Sequence, residues 1–421
     1  MRKQIFAIAS ILSSTLIFLR GNGLLGTLIP VRARLEGFSD LAIGLIGSAY
    51  FVGFVIGCYA GPRLLARAGH SRIFAVGAGT AAAATLLQSL AIEEFTWVVM
   101  RCLFGFAAAL LYMVIESWLN DRATNDTRGR IFSAYLTVNF GGLIVGQWFY
   151  SLGKPASFTL FVISGVFYAL CLIPMGLTRL PQPAPAEVPT LRPMRLFRIS
   201  PVGVMGCIAV GFSNGAVWTF APVYAQDVGL TRGLLAAFMI AFTLGGALVQ
   251  VPLGRLSDRM DRRYILAAVS TLAAGLGIAL YLFGSGAHVW LTLGIAALFG
   301  MVALPVYGIS IAHTNDRLPR EMFVEASATL LMINALASVI GPIIAALVTA
   351  RAGMPALFLY TATIHVALAV FTIVRIRIMD APPNETRDPF MPVPQQASPT
   401  ALELDPRGPE AVESVEPSEA A

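Results

Sequence analysis

Arg101, Gly105, Ala108, Tyr112 and Glu116 lie in one apolar run and have types suited to handling charge inside an apolar medium. On a helix they share one face, within about 80° of arc. An ionisable side chain within a membrane span is costly and faces a bundle interior or a wet cavity. Such a face would therefore line a pathway. Arg101 and Glu116 are separated by about 22 Å of helical rise and cannot pair directly. Glu116 reads in two ways. It is either a carboxylate that takes up and releases protons, or one ion-paired with a loop arginine near the end of its span. Arg101 either contacts an anion or a gating partner, or snorkels to the nearer interface.

Other spans carry further candidates. Arg20 sits beside Gly21, Asn22 and Gly23. Facing a cavity, it would favour an anionic or amphipathic solute; at an interface it would do nothing of the kind. Asn22 and Asn214 flank glycines, where amides can bind a solute or satisfy kinked backbone. Tyr112 and Tyr307 are walls of a cavity or ordinary packing, and Trp218 is a wall candidate deeper in its run. Asn139 and Asn334 are expected to bridge helices. Trp97 and Trp290 are expected in the interfacial aromatic belt. His313 and His365 have no visible partner.

Several chemistries find no support. The four cysteines lie inside apolar runs without metal-ligand or redox spacing. No histidine–carboxylate pair at metal-binding spacing, no Ser/His constellation within a helix and no G-x-x-x-x-G-K-[ST] loop is read. No catalytic residues, metal site or cofactor are expected, and the chain does not read as an enzyme.

These residues must be positioned by long apolar elements. Of 421 residues 57% are apolar and 12% charged, with a mean hydropathy of +0.74. Soluble domains carry about 25% charge, so a water-soluble enzyme and a nucleic-acid binder are excluded despite the basic balance. Apolar stretches of about 20 residues, enough to cross a bilayer core, fall near 5–30, 41–61, 73–92, 95–119, 131–151, 158–177, 202–224, 234–254, 264–284, 288–312, 322–349 and 356–376. The apolar start continues too far to be a cleaved leader.

Twelve spans put both termini on one side. With that side inside, inner segments hold 20 basic residues and outer loops 5. This positive-inside pattern places both ends in the cytoplasm. The tail from Asp380 has nine acidic and two basic residues and no apolar periodicity. It is expected to be disordered and to solvate the C-terminus, rather than fold back on the arginine loops.

The halves repeat. At an offset of 192, Asn22 meets Asn214, Pro30 meets Pro222, Gly53 meets Gly245 and Arg67 meets Arg259. At 195, Gly105 meets Gly300, Tyr112 meets Tyr307, Asn139 meets Asn334 and Gly146 meets Gly341. A duplication of six spans in one orientation gives parallel halves about an axis along the membrane normal, with a site near the midplane between them.

The loop Gly254-Arg255-Leu256-Ser257-Asp258-Arg259-Met260-Asp261-Arg262-Arg263 follows the pattern G-x-L-x-D-R-x-G-R-R, with Asp261 for the second glycine. Its first-half counterpart, Pro62 to Arg72, is degenerate, with Ala66 where Asp258 stands. Arg101 and Gly105 form R-x-x-x-G on the fourth span. On these motifs the chain, over roughly residues 5–377, resembles the major facilitator superfamily. The run Ile115-Glu116-Ser117-Trp118-Leu119-Asn120 and the segment Gly37-Phe38-Ser39 are similar to its YcaD-like branch.

The resemblance implies an all-α membrane protein of twelve transmembrane helices in two parallel-repeat halves. The expected units are a six-helix half at 1–177, a linker at 178–201, a second half at 202–377 and an acidic tail at 378–421. It further implies gating roles for Arg67, Asp258, Arg259 and Arg262, with Asp258 meeting the start of the fifth helix in the opposing half.

The expected function is secondary active transport of a small molecule by alternating access, in import or efflux, with proton coupling through Glu116. The expected setting is a bacterial inner membrane, as a monomer in the lipid bilayer with no nucleic-acid partner. The alternative is a transporter-like receptor or scaffold that binds a ligand without moving it.

Overall fold

The computed structural model describes residues 2–178, 182–183, 191–380, 389–392 and 397–404. Twelve long helices dominate. The first six are α1 (Arg2–Leu35), α2 (Asp40–Ala68), α3 (His70–Leu90), α4 (Glu94–Arg122), α5 (Asn125–Tyr150) and α6 (Thr159–Gly176). The second six are α7 (Pro201–Asp227), α8 (Arg232–Arg259), α9 (Arg262–Phe283), α10 (Gly286–Asn315), α11 (Phe323–Ala352) and α12 (Ala356–Ile378). Eleven are long and apolar enough to cross a membrane. The exception is α5, whose 26 residues include Arg128, Arg130, Asn139 and Gln147. Of these, Asn139 and Gln147 face the interior cavity described below.

Local signals explain the helix ends. The Ser39 hydroxyl accepts from the Ala42 amide at 3.1 Å and starts α2. Gly69 alone separates α2 from α3 at φ 82°, a conformation that glycine adopts without steric cost. Pro201 opens α7, where its missing amide proton costs nothing.

The repeat seen in the sequence reappears as packing. In the first half α1 packs on α5 and α2 on α4; in the second, α7 packs on α11 and α8 on α10. Matched glycines make these contacts. A side chain at Gly105 would strike the backbone carbonyl of Tyr50, and one at Gly300 that of Phe242. Gly146 and Gly341 lie likewise against the carbonyls of Arg20 and Phe212. Van der Waals packing through small residues is what holds helices together where lipid offers no hydrophobic drive.

The halves meet through α2 with α11, α5 with α8 and α1 with α7. Their contact is tightest at the end of the bundle away from the termini. There Arg34 of α1 pairs with Asp227 of α7 at 2.7 Å and with Asp40 at 2.9 Å. Gly44 lies against the Pro342 carbonyl, and Gly47 against the Thr219 side chain. Gln147 donates to the Thr243 hydroxyl across the halves at 2.9 Å, both residues being buried.

Two segments differ from expectation. Within the linker, Pro193–Ile199 is a short helix, while residues 179–181 and 184–190 lie outside the described residues. The tail is expected to be free. Instead Pro389–Pro392 and Ala397–Ala401 are seated on the bundle, and Pro399–Leu404 forms a 3-10 turn against α4, α11 and α5. The rest of the tail lies outside the described residues.

Candidate functional site

A cavity lies between the halves. Its walls come from α1, α2, α4 and α5 on one side and α7, α8 and α10 on the other. Most of its surface is apolar or aromatic, with Tyr50, Phe51, Phe104, Phe140 and Trp218 as the large walls. Polar groups are few: Asn22, Thr27, Asn139, Gln147, Thr219, Gln250 and one cation, Arg101. No acidic residue lines it among the described residues. A mostly apolar enclosure with a few fixed polar groups is the usual form of a small-molecule site.

Arg101 is held in place by aromatic faces rather than by a counter-charge. Its guanidinium lies 5.0 Å from the Tyr50 ring centre and 5.2 Å from that of Phe104. Cation–π contact orients a guanidinium while leaving N–H groups available to a ligand. Its Nε is buried without a hydrogen-bond partner. Asn22 is fixed by the Tyr168 hydroxyl, which donates to its side-chain oxygen at 3.2 Å.

Of the cavity residues expected from sequence, Asn22, Arg101 and Trp218 line this space, and Arg20, Tyr112, Asn214 and Tyr307 do not. Tyr112 is buried edge-on between Phe18 and Phe54. Tyr307 lies inside the core of the second half. Asn214 is 2% exposed and packed within the bundle. Arg20 is half-buried, with its Nε lacking a partner.

Trp97 departs from the interfacial belt. It is fully buried, and its Nε1 donates to the carbonyls of Gln88 and Ala91, at 3.0 Å each. Trp290, by contrast, is 83% exposed. Asn139 bonds weakly within its own helix, to the Tyr135 carbonyl at 3.5 Å, instead of bridging helices. His365 does have a partner: its Nε2 lies 3.2 Å from the Ser213 hydroxyl.

Glu116 is fully buried near the termini-bearing end of α4. None of its hydrogen-bond partners among the described residues is an arginine. The Tyr135 hydroxyl donates to it at 2.6 Å, and Ser398 of the tail donates both its amide, at 2.9 Å, and its hydroxyl, at 2.5 Å.

The loop residues separate into two groups. Arg67 and Arg259 are exposed. Arg262 is 1% exposed, donating to Ser257, Asp258 and Asp316 at 2.8 Å each. Asp258 also accepts the Phe390 amide of the tail, at 2.9 and 3.0 Å. His70, which the 192 offset aligns with Arg262, makes neutral contacts instead, its Nε2 lying 2.9 Å from the Ser117 hydroxyl and its ring beside Trp118. Among the described residues, the first half shows no counterpart at this position of the buried ion pairs that brace the loop in the second.

Asp261, which replaces a glycine of the loop pattern, caps α9. It accepts from the backbone and guanidinium of Arg263 at 2.7 to 3.1 Å. Arg263 in turn donates to the Met379 carbonyl at 2.6 Å, tying this loop to the end of α12. Partial burial works against ionising Asp261, but the bonds from Arg263 outweigh it and hold the carboxyl below its ordinary value.

Three features were missed in the sequence. Gln147 and Gln250 reach the cavity from the fifth and eighth spans. The Arg34–Asp227 pair joins residues close to loops. The tail contacts come from a segment without periodicity. The first left a signal, since amides within apolar runs are costly unless partnered, and the third left another in the uncharged run 389–402 of an acidic tail.

A family model described as Major Facilitator Superfamily matches residues 11–242 and 203–407. An uncharacterized MFS-type transporter of Yersinia pestis (strain Pestoides F) is 24% identical over 84% of this chain and 91% of its own length. The uncharacterized MFS-type transporter YcaD of Escherichia fergusonii is 25% identical over 84% of this chain and 92% of its own. Among solved structures, the nucleoside transporter NupG superposes with a TM-score of 0.74 at 15% identity, over 89% of this chain and 99% of that one. A bacterial homologue of the human lysosomal transporter Spinster, in an inward-facing and occupied conformation, gives 0.75 at 15% identity, over 93% and 100%.

Proposed function

Because this chain belongs to the Major Facilitator Superfamily, we propose that it is a secondary transporter whose halves rock about the cavity holding Arg101. The single observation that carries this reading is the cavity itself. It lies between two pseudo-equivalent halves, is closed at one end by Arg34 and Asp227, and presents one cation without an acidic neighbour on its walls.

A buried guanidinium flanked by aromatic rings favours a small amphipathic solute with an anionic or strongly accepting group. Such a group would meet the free N–H edge of Arg101, and its apolar body would meet Trp218 and Phe51. The amides of Asn22, Gln147 and Gln250 would set its orientation. The termini-bearing face is taken as cytoplasmic on the distribution of arginines. The homologues named above are bacterial, which favours an inner membrane.

Glu116 is proposed as the proton-carrying group. It lies on the same helix as Arg101, nearer the termini, and its neighbours Tyr135 and Ser398 are neutral. Movement of a proton onto Glu116 would change the charge along the pathway without touching the solute site.

The test is uptake or efflux in proteoliposomes under an imposed pH gradient. Glu116→Gln is expected to lose at least about tenfold of gradient-driven transport, while exchange without a gradient persists. Wild-type pH dependence in that variant would end the coupling assignment.

A further inference from the structure

Two acids mark the termini-bearing mouth between the halves, and both are engaged by the tail. Glu116 belongs to the first half, at the inner end of α4; Asp258 belongs to the second, at the inner end of α8. Ser398 donates two hydrogen bonds to Glu116, and the Phe390 amide donates to both oxygens of Asp258. The Phe390 ring packs over Gly254, the first residue of the loop pattern, where a side chain would collide with it. Ala397, Ser398, Thr400 and Ala401 are each no more than 3% exposed.

The chemistry of this segment differs from that of the tail around it. Residues 389–402 contain no Asp, Glu, Lys or Arg, although the whole tail is acidic. A neutral stretch loses little hydration on entering an enclosed mouth, whereas a charged one would lose much. Its amide and hydroxyl donors meet one carboxylate from each half.

We propose that the termini-bearing mouth is a docking site whose occupants are the chain's own residues 389–392 and 397–404, and that this plug must leave before the halves can close there. The docked residues touch both halves: Pro399–Leu404 lies against α4, α5 and α11, and Phe390 against Gly254 and Asp258 of α8. They also hold Asp258, the loop carboxylate that the family resemblance assigns to gating. Transport would therefore be restrained by the tail and released by whatever removes it. The proposal rests on the alternating-access reading, but its test does not require a known substrate.

The reporter is a single cysteine at Asn139, in a chain whose Cys58, Cys102, Cys171 and Cys207 are replaced by alanine. Asn139 lines the cavity one helical turn, about 6 Å, beyond Tyr135, so it lies behind the plug. The purified detergent-solubilised protein is labelled with a water-soluble maleimide. A version ending at Asp380 should label about tenfold faster, as should Ser398→Asp, which sets a negative charge against Glu116. Excess synthetic peptide of residues 389–404 should restore slow labelling to the truncated chain.

Unchanged rates in both variants, or a peptide without effect on the truncated chain, would overturn the plug. Melting temperatures of the two variants within a few degrees of the parent's exclude faster labelling through unfolding. A protein that labels as expected yet moves no solute would retain the plug and lose the transporter reading, so the two failures are distinguishable.

Discussion

Asp261 shows how a departure from a family pattern can be a gain. Glycine at this loop position would leave the first turn of α9 uncapped and the α12 end untied. The aspartate supplies both, through Arg263. Its ionised form is favoured in the folded state, so its unfolded pKa, about 3.9, lies above the folded one. The stabilisation is complete above that range and is lost as pH falls through the lower folded value. Asp261→Asn keeps a cap but not the charge. Thermal unfolding followed from pH 6 to pH 3 should show a smaller acid-side loss in this variant than in the parent. An identical acid-side slope would place the sensitivity elsewhere.

Glu116 makes a related point. The sequence allowed either a proton site or an ion pair with a loop arginine, and these can be separated only by knowing what stands beside it. The neighbours are Tyr135, on the next helix, and Ser398, far along the chain. Spacing on a helical wheel placed Glu116 on the face of Arg101; nothing local could name Ser398 as its partner.

Among the elements, the glycine-mediated crossings are the part most legible from sequence. Gly53, Gly105 and Gly146 were matched to Gly245, Gly300 and Gly341 by register alone, and each sits where two helix backbones touch. A small residue repeated at one offset has few explanations besides close approach. The consequence is measurable. Gly105→Ala must displace the Tyr50 carbonyl, at a cost of about 1–3 kcal/mol. Gly79→Ala meets nothing within 4 Å and should gain up to about 1 kcal/mol of helix propensity. Melting of the two variants in detergent should move in opposite directions. A neutral Gly105→Ala would mean that α2 and α4 are not so closely packed.

Other elements were read less well, for physical reasons. Trp97 occupies a position near a helix end, where the belt preference applies, but a turn of α3–α4 backbone offers its indole two carbonyls and draws it inward. The docked tail has three prolines in its described residues, Pro389, Pro392 and Pro399. Such a segment has no period with which to announce a buried face. Its neutral composition within an acidic tail was the available signal, and net charge over the whole tail concealed it.

At the scale of the molecule, the two halves share a packing scheme but not their chemistry. The second half keeps a loop braced by Arg262, Asp258 and Asp316, while the first has His70 and Ser117 at the corresponding place. The cavity cation likewise comes from the first half, and the tail bridges both. This asymmetry lets one half carry the charge-handling groups and the other the loop that the tail engages. It also explains why the fold was legible from repetition, whereas the site was only partly so: Asn22, Arg101 and Trp218 line the cavity, and Tyr112, Asn214 and Tyr307 are packed away from it.

The central claim is that solute crosses the bilayer through the Arg101 cavity. Counterflow in proteoliposomes tests it most directly, using a ligand chosen from small organic anions by its thermal stabilisation of the purified protein. The account predicts saturable uptake of labelled ligand, driven by unlabelled ligand inside and reduced at least about tenfold by Arg101→Gln. Thermal stabilisation without counterflow in the parent protein would contradict it, and would make the chain a ligand-binding scaffold rather than a transporter.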